Sequence, residues 1–300
     1  MSAAVAAPRR SGGDAALVPL LGLLWGLNWP IVRICLTEIP PWTLRASALA
    51  LGSLCLFGLI RLRGLSPRVH RRDWIALAAI GFFTVAGYNI LSAFAQLTTT
   101  TTRSAVLSYT MPIWTVLLAR IVLGEPLDGR RVLGLGLGIA GLVALGWPLV
   151  TSGEMSRGVV FALGSAVFWA IGNTIIKRHP IDADPAVVAS WQLALGAVLA
   201  GIGMAVFEGW PATFSHSPPV IAAYLYHVIL GQAVATALWF AILGRLPAGI
   251  ASIGSLLVPA VGVVSAAILV GERPTLPDWV GLGLIVAASA TVLLRGPQAR

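Results

Sequence analysis

Residues Leu117–Leu145 read LLARIVLGEPLDGRRVLGLGLGIAGLVAL, and Val264–Leu294 read VSAAILVGERPTLPDWVGLGLIVAASATVLL. Both stretches hold an apolar run, a Gly-Glu break, a short polar link and a second, glycine-rich apolar run. Gly124-Glu125 maps onto Gly271-Glu272, 147 positions on (271 − 124), and Pro112 onto Pro259 at the same offset. Trp25 maps onto Trp169 and Arg33 onto Lys177 at an offset of 144 (169 − 25). The chain therefore repeats itself once along its length.

The composition says what kind of repeat this is. Hydrophobic residues make up 57% of the 300, charged residues 10%, and mean hydropathy is +0.88. A soluble domain carries about 25% charged residues. The apolar runs are long enough to cross about 30 Å of hydrocarbon, where helices satisfy their own backbone groups. Ten spans are predicted, at 15–36, 42–62, 74–96, 104–123, 132–147, 158–177, 185–207, 220–243, 248–270 and 279–294. Residues 1–14 and 296–300 are short polar tails, and the halves are 15–150 and 151–295. Five spans per half is an odd number, so the second half enters the bilayer from the opposite side. The fold expected is an all-α membrane protein of ten transmembrane helices, arranged as two inverted five-helix repeats around a central cavity. Such inverted repeats are common in secondary transporters.

The net charge of +9 is spread between the apolar runs rather than gathered on a basic face, so no nucleic-acid partner is implied. With the N-terminus cytoplasmic, 15 of the 20 Lys and Arg fall inside, led by LRGLSPRVHRRD. Arg33, Arg45, Arg103, Arg157 and Arg273 are left outside. The positive-inside rule thus puts both termini in the cytoplasm. Cys35 and Cys55 give no metal spacing. The first apolar run is expected to be retained, because the small residues precede it.

Polar and aromatic groups inside the spans are the candidate site. Trp25, Asn28, Trp29 and Val32 share one helical face. Trp169 and Asn173, four apart, place an indole and an amide on one face of the sixth span. An amide facing lipid is costly, so these faces should point inwards, either as interhelical glue or as cavity lining. Pro30, Pro112 and Pro259 are candidate hinges, since an interior proline frees the carbonyl four residues earlier. For the matched pair those carbonyls belong to Ser108 and Ser255. The third span offers Tyr88, Asn89, Ser92 and Gln96, and the eighth Tyr224, His227, Gln232, Thr236 and Trp239. Tyr109, Trp114, Trp191 and Gln192 are further candidates, although aromatic residues also serve as interfacial anchors. His227 reads more readily as a neutral packing residue than as a ligand.

All eleven acids fall in tails, loops or span ends. Coupling to an ion through a buried carboxylate is therefore disfavoured. The site should suit neutral, zwitterionic or amphipathic solutes, and aromatic walls could also hold an organic cation. Gly136-Leu-Gly138-Ile-Ala-Gly141 matches G-x-G-x-x-G in letters only, without the strand and acid that a dinucleotide site needs. Gly134, Gly138, Gly281 and Gly283 are read as close packing or a homodimer contact. No nucleophile–base pair, metal cluster or cofactor site is expected, and the chain does not read as an enzyme.

Trp25-Gly26-Leu27-Asn28, the proline-bearing fourth and ninth spans, and the ends Leu123-Gly124-Glu125 and Val270-Gly271-Glu272 resemble the drug/metabolite transporter superfamily, EamA type, over residues 15–295. The chain is most similar to the YddG-like amino-acid exporters within it. That resemblance implies a cavity formed by spans 1, 3, 4, 6, 8 and 9, peripheral spans 5 and 10, and export of amino acids and related metabolites. Pro30 departs from the repeat, its counterpart being Thr174. Export of drugs or organic cations, and a channel or membrane scaffold, are the rival expectations.

Overall fold

The computed structural model describes residues 12–151, 157–210, 215–245 and 248–293. They form ten helical spans and, among the described residues, no strand. The spans are α1 (Gly12–Cys35), α2 (Pro41–Leu62), α3 (Arg71–Thr98), α4 (Thr101–Leu123), α5 (Gly129–Thr151), α6 (Arg157–Arg178), α7 (Pro185–Glu208), α8 (218–245), α9 (Ala248–Leu269) and α10 (Leu276–Leu293). Eight hold stretches long and apolar enough to cross a membrane; α9 and α10 carry the shorter apolar segments Leu257–Leu269 and Leu276–Thr291. The fifth and tenth helices begin three residues earlier than the hydropathy suggests, because Gly129-Arg130-Arg131 and Leu276-Pro277-Asp278, which end in charged residues, are already helical.

The ends of the helices repeat as the sequence does. Pro41 and Pro185 open α2 and α7 at the first position, where a missing N–H is harmless. Gly124 and Gly271 close α4 and α9, both at φ 70°, a left-handed conformation that favours glycine. Past them, the Glu125 and Glu272 N–H groups donate to the carbonyls of Ala119 (3.2 Å) and Ala266 (3.4 Å). Each glutamate is thereby turned back over its own helix end.

The halves are interleaved. α1 packs along α9 and α8, while α6 packs along α4 and α3. α2 lies against α7, and α5 against α10. Each of these pairings joins one half to the other and maps onto itself or its partner when the halves are exchanged, as an inverted repeat requires. The α5–α10 pair stands apart from the α1–α8 and α3–α6 crossings. Its glycine faces are spent within the chain: a Cβ on Gly141 would meet Ile285, one on Gly281 would meet Leu145, and one on Gly138 would meet Ile113.

Two features depart from the expected helices. Pro112 does not kink a continuous helix. α4 breaks at Tyr109-Thr110 and restarts at Met111, so Pro112 sits at the start of a new helix. Pro30 and Pro259 do lie inside continuous helices. The second departure has no proline: α3 and α8 widen into π-helix at Gly81–Gly87 and His227–Val234, at matching places in the two halves. Such wide turns concentrate at functional sites.

Candidate functional site

The α1–α8 crossing brings polar side chains together. Asn28 Oδ1 lies 2.8 Å from Nδ1 of His227, which opens the wide turn of α8. Nε2 of the same imidazole is 3.3 Å from Nη1 of Arg45, on α2. Nη2 of Arg45 is 3.4 Å from Ser92 Oγ, on α3. Ser92 in turn donates to Asn89 O at 2.9 Å, and Asn89 Nδ2 to Val85 O at 2.8 Å. A guanidinium only donates, so Nε2 must accept and the imidazole proton sits on Nδ1, where it donates to Asn28. His227 and Ser92 are buried; Asn28 and Asn89 are half-buried. The close approach depends on Gly231, where a Cβ would lie 2.5 Å from Asn28 Oδ1.

Aromatic rings pair across the neighbouring helices. The Tyr88 and Trp169 rings meet across α3 and α6 at 4.9 Å. The Trp29 and Tyr109 rings meet across α1 and α4 at 6.4 Å, and those of Trp25 and Trp239 across α1 and α8 at 5.8 Å. Tyr88 and Tyr109 are both half-buried. The ring pairs and the polar cluster together draw on α1, α2, α3, α4, α6 and α8.

The EamA-like transporter family matches residues 15–147 and 156–294, most of both halves. The chain belongs to the EamA-like transporter family. As an EamA-like transporter it is an integral membrane protein, and its relatives share its length. The uncharacterized transporter YvbV of Bacillus subtilis (strain 168) is 27% identical over 93% of this chain and 90% of its own. A probable amino-acid metabolite efflux pump of Escherichia coli (strain K12) is 26% identical over 91% and 92%. The uncharacterized inner membrane transporter YedA of the same strain is 25% identical over 93% and 92%. One solved crystal structure covers 95% of this transporter and 98% of its own chain at TM-score 0.65 and 22% identity, a shared fold.

The remaining candidates of this EamA-like transporter divide clearly. Trp25, Trp29, Tyr88, Tyr109, Trp169 and Trp239 form the three ring pairs, and Asn28, Asn89, Ser92 and His227 join Arg45 in the hydrogen-bonded cluster. Ser108 is instead buried in a hydroxyl pair with Ser165 at 2.9 Å, on the α4–α6 interface. Gln232 lies against Gly52 of α2. Gln96 is buried at the end of α3, where its carbonyl accepts from Arg33. Trp191 caps a loop, its Nε1 donating to Pro67 O at 2.8 Å. Asn173 is half-buried on α6. The side chain of Ser255 lies outside the described residues. The residue missed in the sequence is Arg45. Counted there among the external loop charges, it is only 3% exposed and sits inside the bundle. The available signal was its place in PWTLRASALALGSL, inside the second span itself.

Proposed function

We propose that this transporter exports amino acids, aromatic or other apolar ones, and related metabolites across the cytoplasmic membrane by alternating access. The observation that carries this reading is three aromatic pairs and a hydrogen-bonded cluster of amides, a hydroxyl and one imidazole on neighbouring helices, which we read as the walls of a transport chamber. The apolar walls suit an apolar side chain, and the polar cluster suits a zwitterionic backbone. The relative described as a probable amino-acid metabolite efflux pump supports the same cargo. Trp25, Asn28, Trp29, Tyr88, Asn89, Ser92, Tyr109, Trp169, His227 and Trp239 line the path. The halves 15–150 and 151–295 rock against each other, yielding at the α4 break beside Pro112 and at Pro259. Both termini face the cytoplasm, by the distribution of Lys and Arg. A homodimer through the glycine-rich helices would use open positions such as Gly136, Gly146 and Gly283, where a Cβ would meet nothing within 4 Å among the described residues.

An organic cation is a poorer cargo, because Arg45 places a like charge in the polar cluster. The test is flux in proteoliposomes loaded with labelled phenylalanine, leucine or threonine. Saturable efflux of phenylalanine and leucine is expected, with Trp169→Ala reducing it at least several-fold. Linear, unsaturable flux would indicate a channel, and no flux of any amino acid would defeat the cargo.

A further inference from the structure

Arg45 is a buried cation that, among the described residues, has no carboxylate to neutralise it. It is 3% exposed, and its Nε atom is buried without a hydrogen-bond partner. Its two terminal nitrogens reach only neutral groups, His227 and Ser92, at 3.3 and 3.4 Å, the weak end of hydrogen bonding. No carboxylate among the described residues lies within ion-pair distance of it. Among the described residues, Arg72, Arg103, Arg131 and Lys177 all pair with carboxylates, whereas Arg45 does not. The acid closest along the helix end, Glu208, is committed elsewhere: one oxygen accepts from Trp42 N at 2.8 Å, the other from Thr43 N at 2.7 Å.

An ionised guanidinium buried in this way is costly unless an anion completes it. Chains keep such groups in the membrane where they meet a substrate. The donor fork matches a carboxylate in two parallel bonds. The neighbouring surface then says what is attached to that carboxylate. Tyr88 lies one helical turn before Ser92, the partner of Arg45 on α3, and its ring packs on Trp169 at 4.9 Å.

We propose that Arg45 is the carboxylate-binding residue of the chamber, taking the α-carboxylate of the transported solute while its apolar part lies against Tyr88 and Trp169. His227 and Ser92 hold the fork in place, and Asn28 holds His227. This assignment rests on the amino-acid reading above, and sharpens it to solutes that carry a carboxylate. The halves do not share the feature: Ala189 of α7 occupies the place of Arg45 at the 144-residue offset (189 − 45).

The test uses the purified full chain in detergent and titrates its tryptophan fluorescence with four probes. These are L-phenylalanine, 3-phenylpropionate, phenethylamine and inorganic phosphate. L-phenylalanine and 3-phenylpropionate should bind saturably, and phenethylamine should neither bind nor compete. Arg45→Met, which keeps the length without the charge, should weaken both carboxylates by about 30-fold or more, with Arg45→Lys intermediate. The unliganded melting temperature of Arg45→Met should be equal to or above wild type, because an uncompensated charge has been removed. A merely structural arginine would give a lower one. Binding of phenethylamine as tight as that of phenylalanine, or affinity for carboxylates kept within threefold in Arg45→Met, overturns the assignment. So does phosphate binding in place of 3-phenylpropionate. The two readings fail separately. Saturable phenylalanine flux unchanged in Arg45→Met removes the site and leaves the exporter. Arg45-dependent binding of 3-phenylpropionate without amino-acid flux removes the exporter and leaves the site.

Discussion

The crossing of α1 with α8 and the crossing of α6 with α3 are the same contact built twice, with the roles exchanged. In the first, α1 supplies the polar group, Asn28, and α8 the glycine, Gly231; a Cβ there would lie 2.5 Å from Asn28 Oδ1. In the second, α6 supplies the glycine, Gly172, and α3 the polar group, Thr84; a Cβ there would lie 1.8 Å from Thr84 Oγ1. Asn28 and Gly172 are 144 positions apart (172 − 28), and Thr84 and Gly231 are 147 apart (231 − 84). The backbone approach is common to both halves, while the side chain that exploits it has changed sides. The difference in chemistry is larger. Asn28 reaches His227 and through it Arg45, whereas the Thr84 hydroxyl is buried without a hydrogen-bond partner. The scaffold is duplicated and the recognition chemistry is not.

The strongest way to probe that comparison is to fill both glycines. Gly172→Ala and Gly231→Ala should each lower stability by about 1–3 kcal/mol, the usual cost of overpacking. The melting temperature of the detergent-solubilised protein would report it. Gly172→Ala should cost more, because Thr84 N, a backbone atom, also stands 3.2 Å from the new Cβ and cannot swing aside. In Gly231→Ala the amide of Asn28 can turn away, but then it releases His227. Adding Thr84→Ala to Gly172→Ala should recover part of the loss, since the two positions are in contact and their effects do not add. Equal damage at both glycines, with no recovery in the double variant, would break the proposed exchange of roles.

What the sequence discloses follows the same division. Features that depend on repetition were readable: the apolar runs, the Gly-Glu ends and the odd number of spans per half, hence the inverted pairing. Asn28, Trp25, Trp29 and Trp169 stood out as candidates, because an amide or indole in an oily helix is conspicuous, and the structure sets them in the polar cluster and the ring pairs. Arg45 was not, because a lone arginine five residues into a span looks like a charge reaching for the interface. Only the packing of α2 against α3 and α8 shows it turned inwards. The wide turns of α3 and α8 left no residue signature beyond a scatter of glycines. Pro112 and Pro259 look alike as letters. One restarts a broken helix and the other rides inside a continuous one, a difference set by packing beyond the local sequence.

The second probe compares the two ends of the molecule. Glu272 accepts from two backbone N–H groups at the start of α4, Thr101 at 2.5 Å and Thr102 at 2.8 Å. Its counterpart Glu125 instead binds side chains, Lys177 by a hydrogen bond and Arg131 at 2.9 Å. Removing a side chain that caps a helix start costs about 1 kcal/mol, and an exposed ion pair contributes about 0.5 kcal/mol or less. Glu272→Ala should therefore reduce the melting temperature more than Glu125→Ala does. The reverse order would mean that the Glu125 end, not the Glu272 end, fastens the two halves together.

The smallest effect is the most diagnostic of how the Glu125 end is held. The hydrogen bond from Lys177 is the leading cause that pulls the Glu125 carboxyl below its ordinary value of 4.5, with Arg131 adding to it. A folded-state value below the unfolded one means that ionised Glu125 stabilises the fold. That contribution is complete above pH 4.5 and disappears as the pH falls through the lowered value. Glu125→Gln lacks it at every pH. Wild type should accordingly melt slightly higher than Glu125→Gln at neutral pH, and the gap should close as the pH falls through that lowered value. Raising the salt concentration should narrow the gap at neutral pH as well, because Lys177 is 52% exposed and its charge is screened. A gap that persists at low pH would show that Glu125 acts through the shape of its turn. The comparison with Glu272 would then rest on packing at both ends rather than on a charge at one and a helix cap at the other.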